Sequence, residues 1–191
     1  MQIINEIDII EVLKETQAML TGHFELSSGL HSNQYFQCAR VLQYPQIAQR
    51  IGEKLAALFD SEKIDTVVGP ALGGMIIGHE VARALNKKSI FVERKNGQMQ
   101  LRRGFELKNG ERVIIIEDVI TTAKSALEAA DVIRSFGGEV LGYGCIVDRS
   151  GGKTGLNIKS LVQIEPVIYE PDNCPLCLSG SKAVKPGSRD S

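Results

Sequence analysis

The stretch VIIIEDVITTAKS, residues 113–125, decides how the rest of this 191-residue chain is read. Val113, Ile114, Ile115 and Ile116 form an unbroken apolar run, as expected of a strand buried on both faces in a parallel sheet. Glu117 and Asp118 follow, then Val119, Ile120, Thr121, Thr122, Ala123, Lys124 and Ser125, after which a helical pattern opens. Hydroxyls and free backbone N–H groups at a strand-to-helix junction make an anion cradle, reinforced by the positive end of the helix dipole. Two carboxylates beside that cradle suit a ligand carrying vicinal hydroxyls as well as a phosphate. A phosphorylated ribose has both. Acidic pairs at strand ends are common as solvated turn residues; the hydroxyl cluster opening a helix directly behind this pair is what favours a site.

Outward from that stretch the chain repeats a βα rhythm. Residues 65–69 (DTVVG) form a short strand, 70–74 (PALGG) a loop, 75–85 a helix and 89–92 the next strand. Residues 125–136 are the helix after the opening strand, Gly137 and Gly138 close it, and 140–147 form another strand. Such alternation predicts an α/β fold, a parallel doubly wound sheet flanked by helices. Ligands of these sheets sit beyond the carboxyl ends of the strands, so the loops after Gly69, Val92, Ile116 and Val147 line one site. Upstream, Ile3, Ile7, Ile10, Leu13 and Leu20 stand near helical spacing and predict an amphipathic helix over residues 3–20. Residues 22–40 alternate around a Ser-Ser-Gly turn and predict two short strands, and Pro45 opens a helix reaching about Phe59. Three parts result: an N-terminal helix and hood segment (1–42), the core (43–172), and a Cys-, Pro- and Gly-containing tail (173–191).

Bulk composition narrows the function class. A net charge of −1 gives no steering toward nucleic acid, and no apolar run approaches a membrane span. The N-terminus is acidic where a secretory signal would be basic. Four cysteines are too few for a disulfide scaffold at this length, so the expectation is a cytoplasmic protein with mostly reduced thiols.

Further constellations belong to the same rim. Leu72 and Gly73 lie in the 70–74 loop, where glycines let backbone N–H groups approach a second anion such as pyrophosphate. Arg94, Lys95, Arg102 and Arg103 sit in an aperiodic stretch, residues 93–111, which inside a compact domain suggests a mobile lid for a polyanionic leaving group. Arg149 ends a strand at the same rim and suits a substrate carboxylate. His31, Tyr35 and Phe36 offer surfaces for a planar base. No Walker loop and no G-x-G-x-x-G is present. Cys174 and Cys177 form a C-x-x-C, half of a zinc knuckle, but no second pair follows at knuckle distance. Cys38 and Cys145 fall in predicted strands. The expectation is a structureless or packed tail with no metal site, the alternatives being a redox role or a half-site completed by a partner chain.

Residues 113–125 resemble the phosphoribosyl-pyrophosphate signature of the type I phosphoribosyltransferases. SSGLHSNQYFQCA, VERKNGQMQLRRGF and the CPLC and KPGSR tail resemble the branch of that family that acts on orotate. The resemblance implies that Glu117 and Asp118 bind the ribose hydroxyls and that residues 121–125 hold the 5-phosphate, with Val119 and Ile120 leading into them. It implies that Arg149 meets the orotate carboxylate while Arg94, Lys95, Arg102 and Arg103 grip the pyrophosphate, with Mg2+ held mainly through phosphoribosyl pyrophosphate. It also implies a homodimer whose mobile loop is shared between subunits. Four departures stand out: Ala123 and Lys124 replace the usual glycines, Leu72 and Gly73 replace a Tyr and a Lys of the better-known bacterial form, His31 replaces a Lys, and the Lys and His pair of that form's mobile loop is not recognisable, the paired Arg102 and Arg103 being the candidate substitutes. A phosphoribosyltransferase acting on purines, or a non-catalytic sensor of phosphoribosyl pyrophosphate with the same fold, are the alternatives.

Overall fold

A computed structural model describes residues 8–26, 28–165 and 167–186. Its elements are α1 (Ile9–Glu15), β1 (Met19–Glu25), β2 (His31–Phe36), α2 (Ala39–Leu42), α3 (Pro45–Ala56), β3 (Thr66–Pro70), α4 (Gly73–Leu85), β4 (Lys88–Lys95) and β5 (Gln98–Leu101). There follow β6 (Arg112–Ile120), α5 (Lys124–Ser135), β7 (Glu139–Asp148), β8 (Ile158–Gln163), β9 (Ile168–Tyr169) and α6 (Pro175–Leu178).

The main sheet has the order β5-β4-β3-β6-β7-β8, parallel throughout except for the β4/β5 pair. The apolar run on β6 explains why the sheet is covered on both sides. Ile114 and Ile116 pack with Ile51, Leu55, Ile77 and Val81 of α3 and α4 on one face. Val113 and Ile115 pack with Ala126, Ala129, Ala130 and Ile133 of α5 on the other. Period-two alternation thus divides one continuous hydrophobic run between two cores. From β3 the chain crosses to β4 on one side and later to β6 on the other, so the strand order reverses between β3 and β6. Crevices open at the carboxyl ends of strands where such a reversal occurs.

A separate three-stranded sheet, β1-β2-β9, forms the hood. Here the structure corrects the sequence reading. The N-terminal helix is much shorter than residues 3–20. The Asp8 carboxylate caps its start, accepting from the N–H of Ile10 at 2.9 Å, and Gln17 at φ 55° turns the chain out of helical geometry. Met19 and Leu20 enter β1 instead, while Ile3 and Ile7 lie outside the described residues. The two strands around the Ser-Ser-Gly turn are present and antiparallel. The tail is packed, not structureless: β9 pairs with β2, and Val184 receives a backbone bond from Glu25 at 2.9 Å and donates one to His23 at 2.9 Å. Residues 187–191 lie outside the described residues.

The largest correction concerns residues 93–111. In place of an aperiodic loop over its first half, β4 continues to Lys95, turns at Asn96 and Gly97, and returns antiparallel as β5, while residues 102–111 are irregular as expected. Both turn residues have positive φ, 52° and 80°. Asn-Gly between strands is a strong hairpin signal because it accepts that geometry readily.

Candidate active site

The site is built where β3 and β6 diverge. Glu117 and Asp118 stand near the end of β6, and the 70–74 loop leads from β3 into α4 directly against them. A Cβ at Gly73 would come within 2.4 Å of the Asp118 carboxylate, and one at Gly74 within 2.5 Å of the Ile116 carbonyl and 3.1 Å of Glu117 Oε2. The glycines of this loop therefore permit α4 to start in contact with the acids. Leu72, by contrast, is 75% exposed, and the peptide bond between Ala71 and Leu72 is cis.

The carboxylates have little compensation. Glu117 is 8% exposed. Burial, then the adjacent Asp118 charge, push its pKa to about 8, against the opposing hydrogen bond from the Asp118 backbone. Asp118 is also raised by burial, although the N–H of Val119 donates to it at 2.9 Å. Among the described residues no cation forms an ion pair with either acid. Buried acceptors of this kind call for hydrogen-bond donors. Cys38, at the start of α2, lies close enough that the Asp118 charge adds to the burial raising its thiol pKa. Hood and core thus meet at the acid pair.

Thr121 and Thr122 are exposed beyond the strand, and α5 starts at Lys124 without a side-chain cap. Its first turn carries no acidic residue, so the amino end retains its positive potential. Ala123 adopts φ 58°, a left-handed geometry that glycine reaches more cheaply. Its methyl group is buried with Ile120 and Cys145. The methyl group that replaces a glycine hydrogen here is therefore turned into the core, while Lys124 stands exposed and Ser125 half-buried.

Across the rim, the N–H of Arg149 donates to the Ile120 carbonyl at 2.8 Å, joining the end of β7 to the start of the cradle. The Arg149 guanidinium lies 5.0 Å over the ring of Phe36. It is 7% exposed, its Nε has no partner among the described residues, and burial lowers its pKa. This buried cation suits a planar anion. Tyr35, on the opposite face of β2 from Phe36, tilts against Phe24 at 5.8 Å. His31 does not join this cluster: its Nδ1 lies 3.0 Å from Nε2 of His23, a residue the sequence reading passed over. The available signal was the Ser-Ser-Gly turn, which folds β1 back beside β2.

Three of the four hairpin cations are engaged. Arg94 pairs with Glu128 of α5, and Arg102 and Arg103 both reach Glu93, at 3.1 and 2.7 Å. Lys95 is exposed at the turn. A cavity of about 220 Å³ lined by Phe59, Ile114, Tyr143 and Lys159 lies toward the amino ends of β6 and β7, away from these groups.

The fold and this rim define a class. Residues 37–171 match the family described as phosphoribosyl transferase domain, and the chain belongs to that family, in its orotate phosphoribosyltransferase branch. The orotate phosphoribosyltransferase of Desulforamulus reducens is 52% identical over 187 residues, covering 97% of this chain and 98% of the relative. That of Caldicellulosiruptor saccharolyticus is 51% identical, covering 94% and 95%. Among solved structures, orotate phosphoribosyltransferase from Aeropyrum pernix superposes with a TM-score of 0.69 at 27% identity, over 82% of this chain and 93% of that one. Among the described residues no helix is long and apolar enough to cross a membrane.

Proposed function

We propose that this chain transfers the 5-phosphoribosyl group from phosphoribosyl pyrophosphate to orotate, giving orotidine 5'-phosphate and pyrophosphate. The observation that carries the reading is the buried, unpaired acid pair set against both a glycine loop and an uncapped helix start. In this arrangement Glu117 and Asp118 accept from the ribose hydroxyls. Thr121, Thr122, Ser125 and the first N–H groups of α5 hold the 5-phosphate. The backbone at Leu72 and Gly73 approaches the pyrophosphate, and Arg149 over Phe36 receives the orotate carboxylate. His31 is not assigned to substrate.

The bond from ribose C1 to the pyrophosphate oxygen breaks as a bond from C1 to a ring nitrogen of orotate forms, the bonding pair leaving with pyrophosphate and the nitrogen's proton passing to water or to the departing pyrophosphate. Positive charge develops on the ribose and negative charge on the leaving group. No protein nucleophile is required; the chain orients both substrates and stabilises the departing charge electrostatically. Arg94, Arg102 and Arg103 do so by exchanging Glu128 and Glu93 for phosphate oxygens, and Lys95 adds its charge from the turn. Further charge neutralisation would come from Mg2+ bound with phosphoribosyl pyrophosphate and held mainly by the substrate's oxygens rather than by this chain's side chains. From the resemblance of residues 92–105 to the orotate branch, we place the hairpin cations' grip on pyrophosphate in a homodimer, each hairpin serving the neighbouring site of a cytoplasmic enzyme.

Pyrophosphate release measured with orotate, uracil, adenine, hypoxanthine and xanthine tests this. Release with orotate alone is expected. Release with a purine instead, or with no base, would overturn the assignment.

A further inference from the structure

Four side chains that the transfer reaction does not use converge beneath the hood. His23 comes from β1, His31 from β2, Cys174 from the residue before α6 and Cys177 from within it. One ligand atom from each lies within 4.8 Å of all the others. His23 Nε2 is 3.0 Å from His31 Nδ1, 3.5 Å from Cys174 Sγ and 3.7 Å from Cys177 Sγ. Cys177 Sγ is 3.4 Å from His31 Nδ1. A tetrahedral zinc ion with ordinary bond lengths requires edges of about 3.4 Å between nitrogens and about 3.6 Å between nitrogen and sulfur. The side chains already stand close to those edges.

Donor chemistry points the same way. Two ring nitrogens and two sulfurs face one point, and His23 Nε2 meets three lone-pair donors at once. A divalent cation at that point would accept all four lone pairs at once, which no hydrogen bond between two of the groups can do. Two imidazoles with two thiolates is a zinc-type set, soft enough to disfavour magnesium or calcium. His23, His31 and Cys174 are buried, at 7%, 9% and 0% exposure, and Cys177 closes the cluster from its exposed side.

The fold explains how the half-knuckle finds its other half. β9 pairs with β2 at Tyr169 and His31, which delivers the following residues onto the hairpin. Pro171 and Pro175 open two short helical turns, and the i, i+3 spacing of Cys174 and Cys177 turns both sulfurs to one side. Val184 then pairs with β1 beyond the cluster.

We propose that His23, His31, Cys174 and Cys177 bind one structural zinc ion that staples the C-terminal segment to the hood hairpin. Four protein ligands leave no open coordination position, so the ion has no part in chemistry on substrate. It closes a loop of 151 positions between His23 and Cys174. It also fixes β2, the strand whose far end presents Phe36 to Arg149.

Elemental analysis of the full-length protein, purified without a polyhistidine tag or chelator, is the test. About one zinc per chain is expected, as for a closed four-ligand site. Exchange with Co2+ should give the intense visible absorption of a tetrahedral site together with near-ultraviolet thiolate-to-cobalt charge transfer; Cys177→Ser should weaken the charge-transfer band, and the Cys174→Ser, Cys177→Ser double variant should abolish it. Should the variants not fold, the wild-type protein suffices: alkylating or mercurating its thiols should release the zinc to a colorimetric chelator. Zinc below about a tenth of an equivalent after incubation with excess zinc would overturn the proposal, as would an octahedral cobalt spectrum lacking thiolate bands. An intact mass showing a Cys174 to Cys177 disulfide in protein kept under reducing conditions would do the same.

Discussion

A Cβ placed on Gly73 would stand 2.4 Å from Oδ1 of Asp118, so the loop after β3 and the acid at the end of β6 occupy adjoining space with no room for a methyl group. The Asp118 side chain has some freedom to yield, but its hydrogen bond from Val119 fixes the position useful for a ligand. Gly73→Ala is expected to lower kcat/KM for phosphoribosyl pyrophosphate about tenfold or more while costing little stability. Gly74→Ala meets the Ile116 carbonyl and is expected to cost about 1–3 kcal/mol in folding. Steady-state kinetics and urea denaturation on both variants separate the two effects.

The buried Glu117 makes stability depend on pH. Its carboxyl titrates at about 8 in the fold against an ordinary 4.5. Between those values the folded protein keeps a proton that the unfolded chain has released, so stability falls as pH rises. The contribution is whole below the lower value and lost above the upper one. The slope from this group is at most about 1.4 kcal/mol per pH unit. Glu117→Gln should flatten the profile and be the more stable protein at alkaline pH, checked by denaturation across the window. An unchanged slope would show that Glu117 is ionised throughout.

Arg149 is a buried cation awaiting an anion. Arg149→Met removes both the charge and its desolvation cost, so stability should hold or rise. Loss of a charge-assisted contact of roughly 2–3 kcal/mol should raise the KM for orotate roughly 30- to 160-fold, with little change in KM for phosphoribosyl pyrophosphate. Equal loss for both substrates would argue against a carboxylate contact.

Arg103 serves a different stage. If it stabilises the leaving group, Arg103→Ala should reduce kcat by about a hundredfold, as for removal of one oxyanion donor, and leave phosphoribosyl pyrophosphate affinity nearly unchanged. Single-turnover kinetics beside equilibrium binding distinguish this from a role in binding alone.

Much of this architecture was legible because it rests on local pattern. The apolar run of β6, the βα rhythm and the hydroxyl cluster before α5 each obey periodicity or helix-end rules visible in a short window. What escaped depends on contacts between distant residues, or on turn chemistry that was overlooked. Asn96-Gly97 announces a hairpin, yet the surrounding charges suggested a loop. Nothing local reveals that the Ala123 methyl packs into the Ile120 and Cys145 cluster, so its effect on the cradle could only be guessed. β8 went unmarked because no helix of its own separates it from β7. The tail cysteines seemed half a site because their partners lie some 150 positions away.

The central claim is that the acid pair and its cradle hold phosphoribosyl pyrophosphate, and isothermal titration calorimetry with Mg2+ present addresses it directly. The wild-type protein should bind with a heat that varies with buffer ionisation enthalpy near neutral pH, because ribose hydroxyls and the accompanying metal favour the ionised form of Glu117 and release its proton. A folded Glu117→Gln, Asp118→Asn double variant should bind about a hundredfold more weakly and lose that buffer dependence. Undiminished affinity in the double variant would place the ligand elsewhere.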